Sequence, residues 1–163
     1  MELYNKLSGN QRRELIEKAS DKRLTLSFYK YHNILNPKLF RDHLFLVWNE
    51  LDVLGRIYVA SEGINAQLSV PSKNLDNFKR TIDDVSFLKD IRLNIAIQQD
   101  DFSFLKLKVK LRNKIVADGL KDGEIDLSNS GQHLNAKEFN SLVSESNTFI
   151  VDMRNHYESE IGH

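Results

Sequence analysis

The chain has 163 residues, room for one ordinary domain or a small domain plus part of another. Its 40% hydrophobic and 28% charged content excludes a chain that is disordered throughout. Lys plus Arg and Asp plus Glu both number 23 and there is no cysteine, which excludes a global polycation, disulfides and any thiol nucleophile or thiolate metal site within this sequence.

Met1-Glu2-Leu3-Tyr4 lacks the basic stretch and apolar run of a signal peptide. No apolar run approaches the ~20 residues needed to cross a bilayer. The expectation is a soluble, cytoplasmic protein with no membrane partner.

Residues 8–19 read as a short polar helix. Ser8 and Gln11 have capping-box spacing, and Leu15, Ile16 and Ala19 form a narrow apolar stripe. Residues 24–29 alternate with period two, which predicts a strand. Asn36-Pro37 starts a helix, with the Asn side chain accepting from first-turn amides and Pro lacking an amide at a position that does not need one. Phe40, Leu44, Val47, Leu51 and Leu54 then fall on one face, and Gly55 stands where a left-handed residue would end the helix.

Residues 57–60 and 66–70 predict paired strands around a turn at 61–65, with Gly63 as its permissive residue and Pro71 ending the second strand. Ser72 is placed to cap a further helix with Leu75, Phe78, Ile82 and Val85 on its buried side. Residues 93–97 and 104–111 predict two more strands. The order strand, helix, strand, strand, helix, strand is the split βαβ pattern. The expected fold is therefore α+β: a ferredoxin-like antiparallel sheet with two helices on one face, extended or edged by the 104–111 strand.

Residues 118–131 have linker composition. Asn135 and Glu138 then open a helix carrying Phe139, Leu142 and Val143, and residues 149–151 predict a short apolar strand of the kind found inside parallel sheets. The expected organisation is a helical extension over 1–20, the ferredoxin-like domain over 21–117, the linker over 118–131, and an incomplete second unit over 132–163. A lone strand leaves its backbone polar groups unpaired, so the second unit is expected to be the opening of a larger domain.

The most informative local pattern is Lys106, Lys108, Lys110 and Arg112 alternating with Leu105, Leu107, Val109 and Leu111. A strand sends the four cations to one face and the four apolar residues to the other, with ~7 Å between successive cations. Such a row suits a polyanion such as a nucleic-acid backbone. It also suits a solvated sheet face, or an edge strand that lysines protect from aggregation. Tyr29 and Tyr31, flanking Lys30, and Tyr58, near Arg56, could stack bases or serve as interfacial tyrosines. Glu62 and Asn65 flank a turn, where turn chemistry alone explains them. The five histidines (32, 43, 133, 156 and 163) lack metal-ligand spacing, so no metal site is expected. Asp152, Arg154 and Glu158 fit a capped turn at a strand end, with Arg154 and Glu158 one helical turn apart.

Residues 58–71 and 106–119 resemble the bacterial tRNA uridine hydroxylase family, and residues 27–31 and 92–96 fit the same pattern. Residues 150–158, with Ile161-Gly162-His163, resemble the first strand and turn of a rhodanese domain as that family carries it. The resemblance covers nearly the whole chain from about Leu24. It implies an acylphosphatase-like, ferredoxin-like domain followed by a rhodanese domain whose active-site cysteine has no counterpart here. It further implies hydroxylation of the wobble uridine of tRNA to 5-hydroxyuridine, with molecular oxygen as co-substrate and no other cofactor specified. The chain is then expected to be an N-terminal fragment, inactive alone, whose partners are tRNA and its own rhodanese domain.

On that resemblance Lys106, Lys108, Lys110 and Arg112, with Lys30 and Arg56, become RNA-contact candidates. Glu62 and Asn65 become substrate-site candidates, and Asp152, Arg154 and Glu158 rhodanese structural residues. The alternative is part of a rhodanese-type sulfurtransferase, which needs a persulfide-forming thiolate. An acyl-phosphate hydrolase is a weaker alternative, because Lys30-Tyr31-His32-Asn33 stands where acylphosphatases place a glycine-rich, arginine-bearing loop.

Overall fold

The computed structural model describes residues 3–19, 21–116, 119 and 131–152. The chain divides into two compact units, Met1–Ile125 and Asp126–His163. The division falls inside the predicted linker, most of which lies outside the described residues.

The first unit contains α1 (Gly9–Ala19), β1 (Arg23–Tyr31), α2 (Pro37–Glu50), β2 (Leu54–Ala60), β3 (Gly63–Pro71), α3 (Leu75–Asp83), β4 (Asn94–Ile95) and β5 (Leu107–Leu111). The sheet order is β4-β1-β3-β2-β5. Each hydrogen-bonded pair among the first four strands is antiparallel, as the split βαβ pattern requires, but β5 pairs parallel to β2. The sheet is thus mixed rather than antiparallel throughout. Strand β4 runs opposite to β2, so the chain leaves it at the end of the sheet where β2 begins. Residues 96–106 cross that end, and the next strand can only run alongside β2.

The core lies between one sheet face and α2 and α3. Alternate residues of the strands (Phe28, Ile57, Ile64, Leu68, Leu107 and Val109 among them) meet Leu44, Phe45 and Trp48 of α2 and Phe78 and Ile82 of α3. Trp48 is fully buried, with its ring edge-on to Phe28 and tilted against Phe78, and its indole N–H donates to Thr81 Oγ1 at 3.1 Å. The indole therefore loses water without losing a partner. The predicted helical stripe missed Phe45 and Trp48, because Phe40, Val47 and Leu51 hold only its partly buried margin.

Several boundaries differ from the sequence expectation. Asn36 does cap α2, accepting from the Leu39 amide at 3.0 Å. The helix ends at Glu50, however, and the left-handed residue is Asp52 (φ 54°), not Gly55. Gly55 belongs to β2, where a Cβ would stand 2.5 Å from the Gln67 carbonyl oxygen and 2.6 Å from Leu68 Cβ. Close approach to β3 is what demands glycine there. The predicted 61–65 turn is only two residues, Ser61 and Glu62. Gly63, Ile64 and Asn65 already belong to β3.

Ser72 begins a single 3₁₀ turn and makes no cap to α3. The 93–97 strand shrinks to Asn94–Ile95, because side chains from the following loop take over the β1 edge. Gln99 Oε1 accepts from the Thr25 amide and Asp101 Oδ1 from the Arg23 amide, both at 2.7 Å.

The N-terminal helix lies within the first unit. Ser8 and Gln11 form the reciprocal cap, with 2.9 Å and 3.2 Å bonds, and Ile16 is buried. Arg12 of α1 pairs with Asp52 at 2.6 Å. Asp52 also pairs at 3.0 Å with Arg23, whose guanidinium donates to Ser69 Oγ and to the Ser69 and Asp52 carbonyls. Arg23 is only 3% exposed. Burial lowers its pKa from the ordinary guanidinium value, and the charge of Asp52 opposes that pull.

In the second unit, α4 (Ala136–Val143) begins with the predicted capping box between Asn135 and Glu138. Phe149, Ile150 and Val151 form no strand and are 60–92% exposed. A strand exists through its ladder, and no second strand is present among the described residues of this unit. No described helix is long and apolar enough to cross a membrane.

Two substitutions test this framework. Gly63 has φ 147°, and a Cβ there would fall 2.1 Å from the Lys30 carbonyl oxygen. Gly63→Ala is expected to cost about 2–4 kcal/mol in denaturant unfolding. Asp52→Asn tolerates the left-handed backbone but removes the charge shared by Arg12 and Arg23. It is expected to cost about 1–2 kcal/mol, moderated by the other acceptors that Arg23 keeps. Stabilities equal to the parent would refute these assignments.

Candidate nucleic-acid interface

Strand β5 has the pleat predicted from its alternation. Leu107 and Val109 are buried at 1% and 7%, whereas Lys106, Lys108, Lys110 and Arg112 are all exposed. The parallel register fixes their neighbours: Lys108 stands opposite Arg56 and Lys110 opposite Tyr58. The pairing is closed at each end by backbone bonds, Gly55 N–H to the Lys106 carbonyl (3.0 Å) and Arg112 N–H to the Val59 carbonyl (2.9 Å). On the outer edge, the Asn5 carboxamide bonds both the amide and the carbonyl of Leu107, at 2.9 Å and 2.8 Å. That edge is capped at Leu107, which blunts it against pairing with another chain.

The same registers extend the face across the sheet. One row runs Lys108, Arg56, Gln67, Ser27, and the next runs Lys110, Tyr58, Asn65, Tyr29, with ~4.8 Å between neighbouring strands. Arg112 lays its guanidinium over the Tyr58 ring, 5.2 Å from the centroid. Among the described residues, none of Arg56, Lys106, Lys108, Lys110 and Arg112 pairs with a carboxylate. At the Lys106 end the face opens into a cleft of about 410 Å³, with Arg56, Lys106, Lys108, Phe102 and Phe104 in its lining. The arrangement is a field of uncompensated positive charge on a flat surface with tyrosines set into it.

Lys30 is exposed but stands apart from this field. Its register partner is the buried Ile64, so it belongs to the parity of the helix-covered face. Glu62 and Asn65 are brought together, on a backbone segment of the chain itself. Glu62 Oε1 accepts from the Ile115 amide at 2.7 Å, and Asn65 Nδ2 donates to the Ile115 carbonyl at 3.1 Å. Both polar groups of one peptide residue are held, and the Ile115 side chain is buried. Asp152 is exposed in the second unit, and Arg154 and Glu158 lie outside the described residues.

No cluster of three or more His, Asp or Glu suited to a metal occurs among the described residues. Sequence reasoning overlooked Gln67 and Ser27 as members of the open face. Their parity within β3 and β1 was legible, but their adjacency to Arg56 depended on strand order.

Residues 23–115 match the family model of the UPF0176 acylphosphatase-like domain. Over 161 residues the chain is 50% identical to the tRNA uridine(34) hydroxylase of Leptospira interrogans serovar Lai, covering 99% of this chain and 44% of that protein. It is 44% identical over 162 residues to proteins of the same name from Hamiltonella defensa and Escherichia coli strain SE11, covering 99% of this chain and 46% of each. The chain spans less than half the length of these curated relatives. With its predicted strands in the split βαβ order and 23–115 matched throughout, the chain belongs to the family of the UPF0176 acylphosphatase-like domain.

Proposed function

We propose that this chain supplies the tRNA-binding and positioning part of an enzyme that hydroxylates the wobble uridine of tRNA to 5-hydroxyuridine with molecular oxygen. The observation that carries the binding role is the exposed row Lys106, Lys108, Lys110 and Arg112, joined by Arg56 and lacking any carboxylate partner among the described residues. Like charges in a row repel, and a polyanion laid along them relieves the repulsion while releasing its own counterions. That the polyanion is tRNA is supported by the names of the relatives.

The resemblance to a rhodanese opening at 150–158 assigns Asp152, Arg154 and Glu158 structural roles there. On this reading the hydroxylation chemistry belongs to the rhodanese part of the protein. This sequence holds no cysteine, and the face described here serves binding. The same lack of a thiol disfavours sulfur transfer by this chain, since a persulfide has no sulfur to form on. Glu62 and Asn65 remain candidates to border the substrate through the Ile115 segment they grip, rather than through free side chains.

The test is a tRNA titration of the chain at several salt concentrations, beside a variant carrying Lys106→Glu, Lys108→Glu and Lys110→Glu. The three positions are exposed, so the thermal midpoint should change little. Affinity at about 0.1 M salt should fall by roughly 100-fold or more, and the slope of log K against log salt should flatten by roughly 2–3. Unchanged affinity in the variant would remove the basis for the proposal.

A further inference from the structure

Resting on the RNA-binding reading above, we propose that this sheet face selects unpaired RNA, by stacking a base on Tyr29 while the cations of β5 and Arg56 hold the strand's phosphates. Tyr29 lies on β1, paired with Asn65 of β3 and two residues beyond Ser27, the last β1 residue that β4 pairs. It is 61% exposed on the face opposite the core, where an aromatic ring does nothing for packing. Its nearest ring is Tyr31, two residues along the same strand, edge-to-face at 6.3 Å and 78°. That geometry fixes the pair without stacking the two rings on each other.

The surroundings of Tyr29 match what an unpaired base requires. It stands in one cross-strand row with Asn65, Tyr58 and Lys110, about 14 Å from β5 at three strand spacings. Gln67 and Ser27 hold the adjacent row between Tyr29 and Arg56. Neither side chain makes a hydrogen bond among the described residues, so an amide and a hydroxyl are left to meet base edges. The cations concentrate on the β2–β5 side and the exposed aromatic on the β1 side. A strand whose phosphates follow β5 can therefore project its bases inward along the Arg56–Gln67–Ser27 row, beside the Ile115 segment that Asn65 holds.

A duplex cannot use this geometry. The bases of A-form RNA are stacked within the helix, and a flat face meets only phosphates and 2′-hydroxyls. Phosphate contacts alone would leave Tyr29 without a role. Unpaired bases can be splayed onto aromatic rings, and stacking tolerates any base because every base has a π face.

The experiment compares the parent chain, Tyr29→Ala and Tyr29→Phe, each titrated with a single-stranded oligoribonucleotide and with the same strand in a duplex, across a salt series. Tyr29→Ala is expected to weaken single-strand binding roughly tenfold. The slope of log K against log salt should stay at the parent value, because no phosphate contact is removed. Tyr29→Phe keeps the ring and should stay within about twofold of the parent. Duplex binding should be the weaker of the two in the parent and indifferent to both substitutions.

Equal single-strand affinity in Tyr29→Ala and the parent overturns the inference. Equal loss on single strand and duplex overturns it as well. Should the β5 glutamate variant lose binding while Tyr29→Ala does not, the stacking role fails and the electrostatic one stands. Should the parent bind neither RNA at low salt, both fail together.

Discussion

The parallel register of β5 on β2 is the constraint from which the open face follows. It sets Lys108 beside Arg56 and Lys110 beside Tyr58, and a slip by one residue would turn every cation toward the helices and every leucine toward water. Burial of Leu107 and Val109 against the helical layer makes that slip costly. The apolar half of β5 thus holds the polar half in place. A charged row that would repel itself in an isolated peptide is displayed because the opposite side of the same strand belongs to the core.

The outer strands of the sheet are short, and side chains complete what the backbone leaves open. Asn5 satisfies both polar groups of Leu107 on one edge, and Gln99 and Asp101 satisfy the amides of Thr25 and Arg23 on the other. Edges treated this way do not invite pairing with another chain. Arg23 is a different case: a cation buried on the sheet's second face, where α1 contributes Arg12 and the left-handed Asp52 contributes its carboxylate and carbonyl. The charge is held by several acceptors at once, which is the condition under which a buried guanidinium can be kept. That end of the face is closed by structure, while Tyr29, Arg56, Gln67 and the β5 cations stay exposed.

Glu62 and Asn65 illustrate how a suggestive pair of polar residues can be engaged by the chain itself. Their side chains hold the amide and carbonyl of Ile115, which ties the segment leaving β5 back to the β2–β3 turn. Any influence on a bound ligand would pass through the position of that segment. Lys30 illustrates the opposite error of proximity in sequence. It neighbours Tyr29 and Tyr31, yet strand parity sends it to the other face.

Much of the local structure in both units was legible in the residues alone, for local reasons. Period-two alternation marked β1 and β5, the Asn36-Pro37 pair marked the start of α2, and the Ser8–Gln11 and Asn135–Glu138 spacings marked two helix caps, all of which depend on neighbours within one turn or one pleat. Only the tertiary structure decided the parallel direction of β5, the reassignment of Gly55 from helix end to close strand contact, the capture of Arg23 by Asp52, and the grip of Glu62 and Asn65 on Ile115. Each of these joins residues far apart in the chain. Strand order and register are settled by how the whole sheet buries one face, which no local pattern encodes.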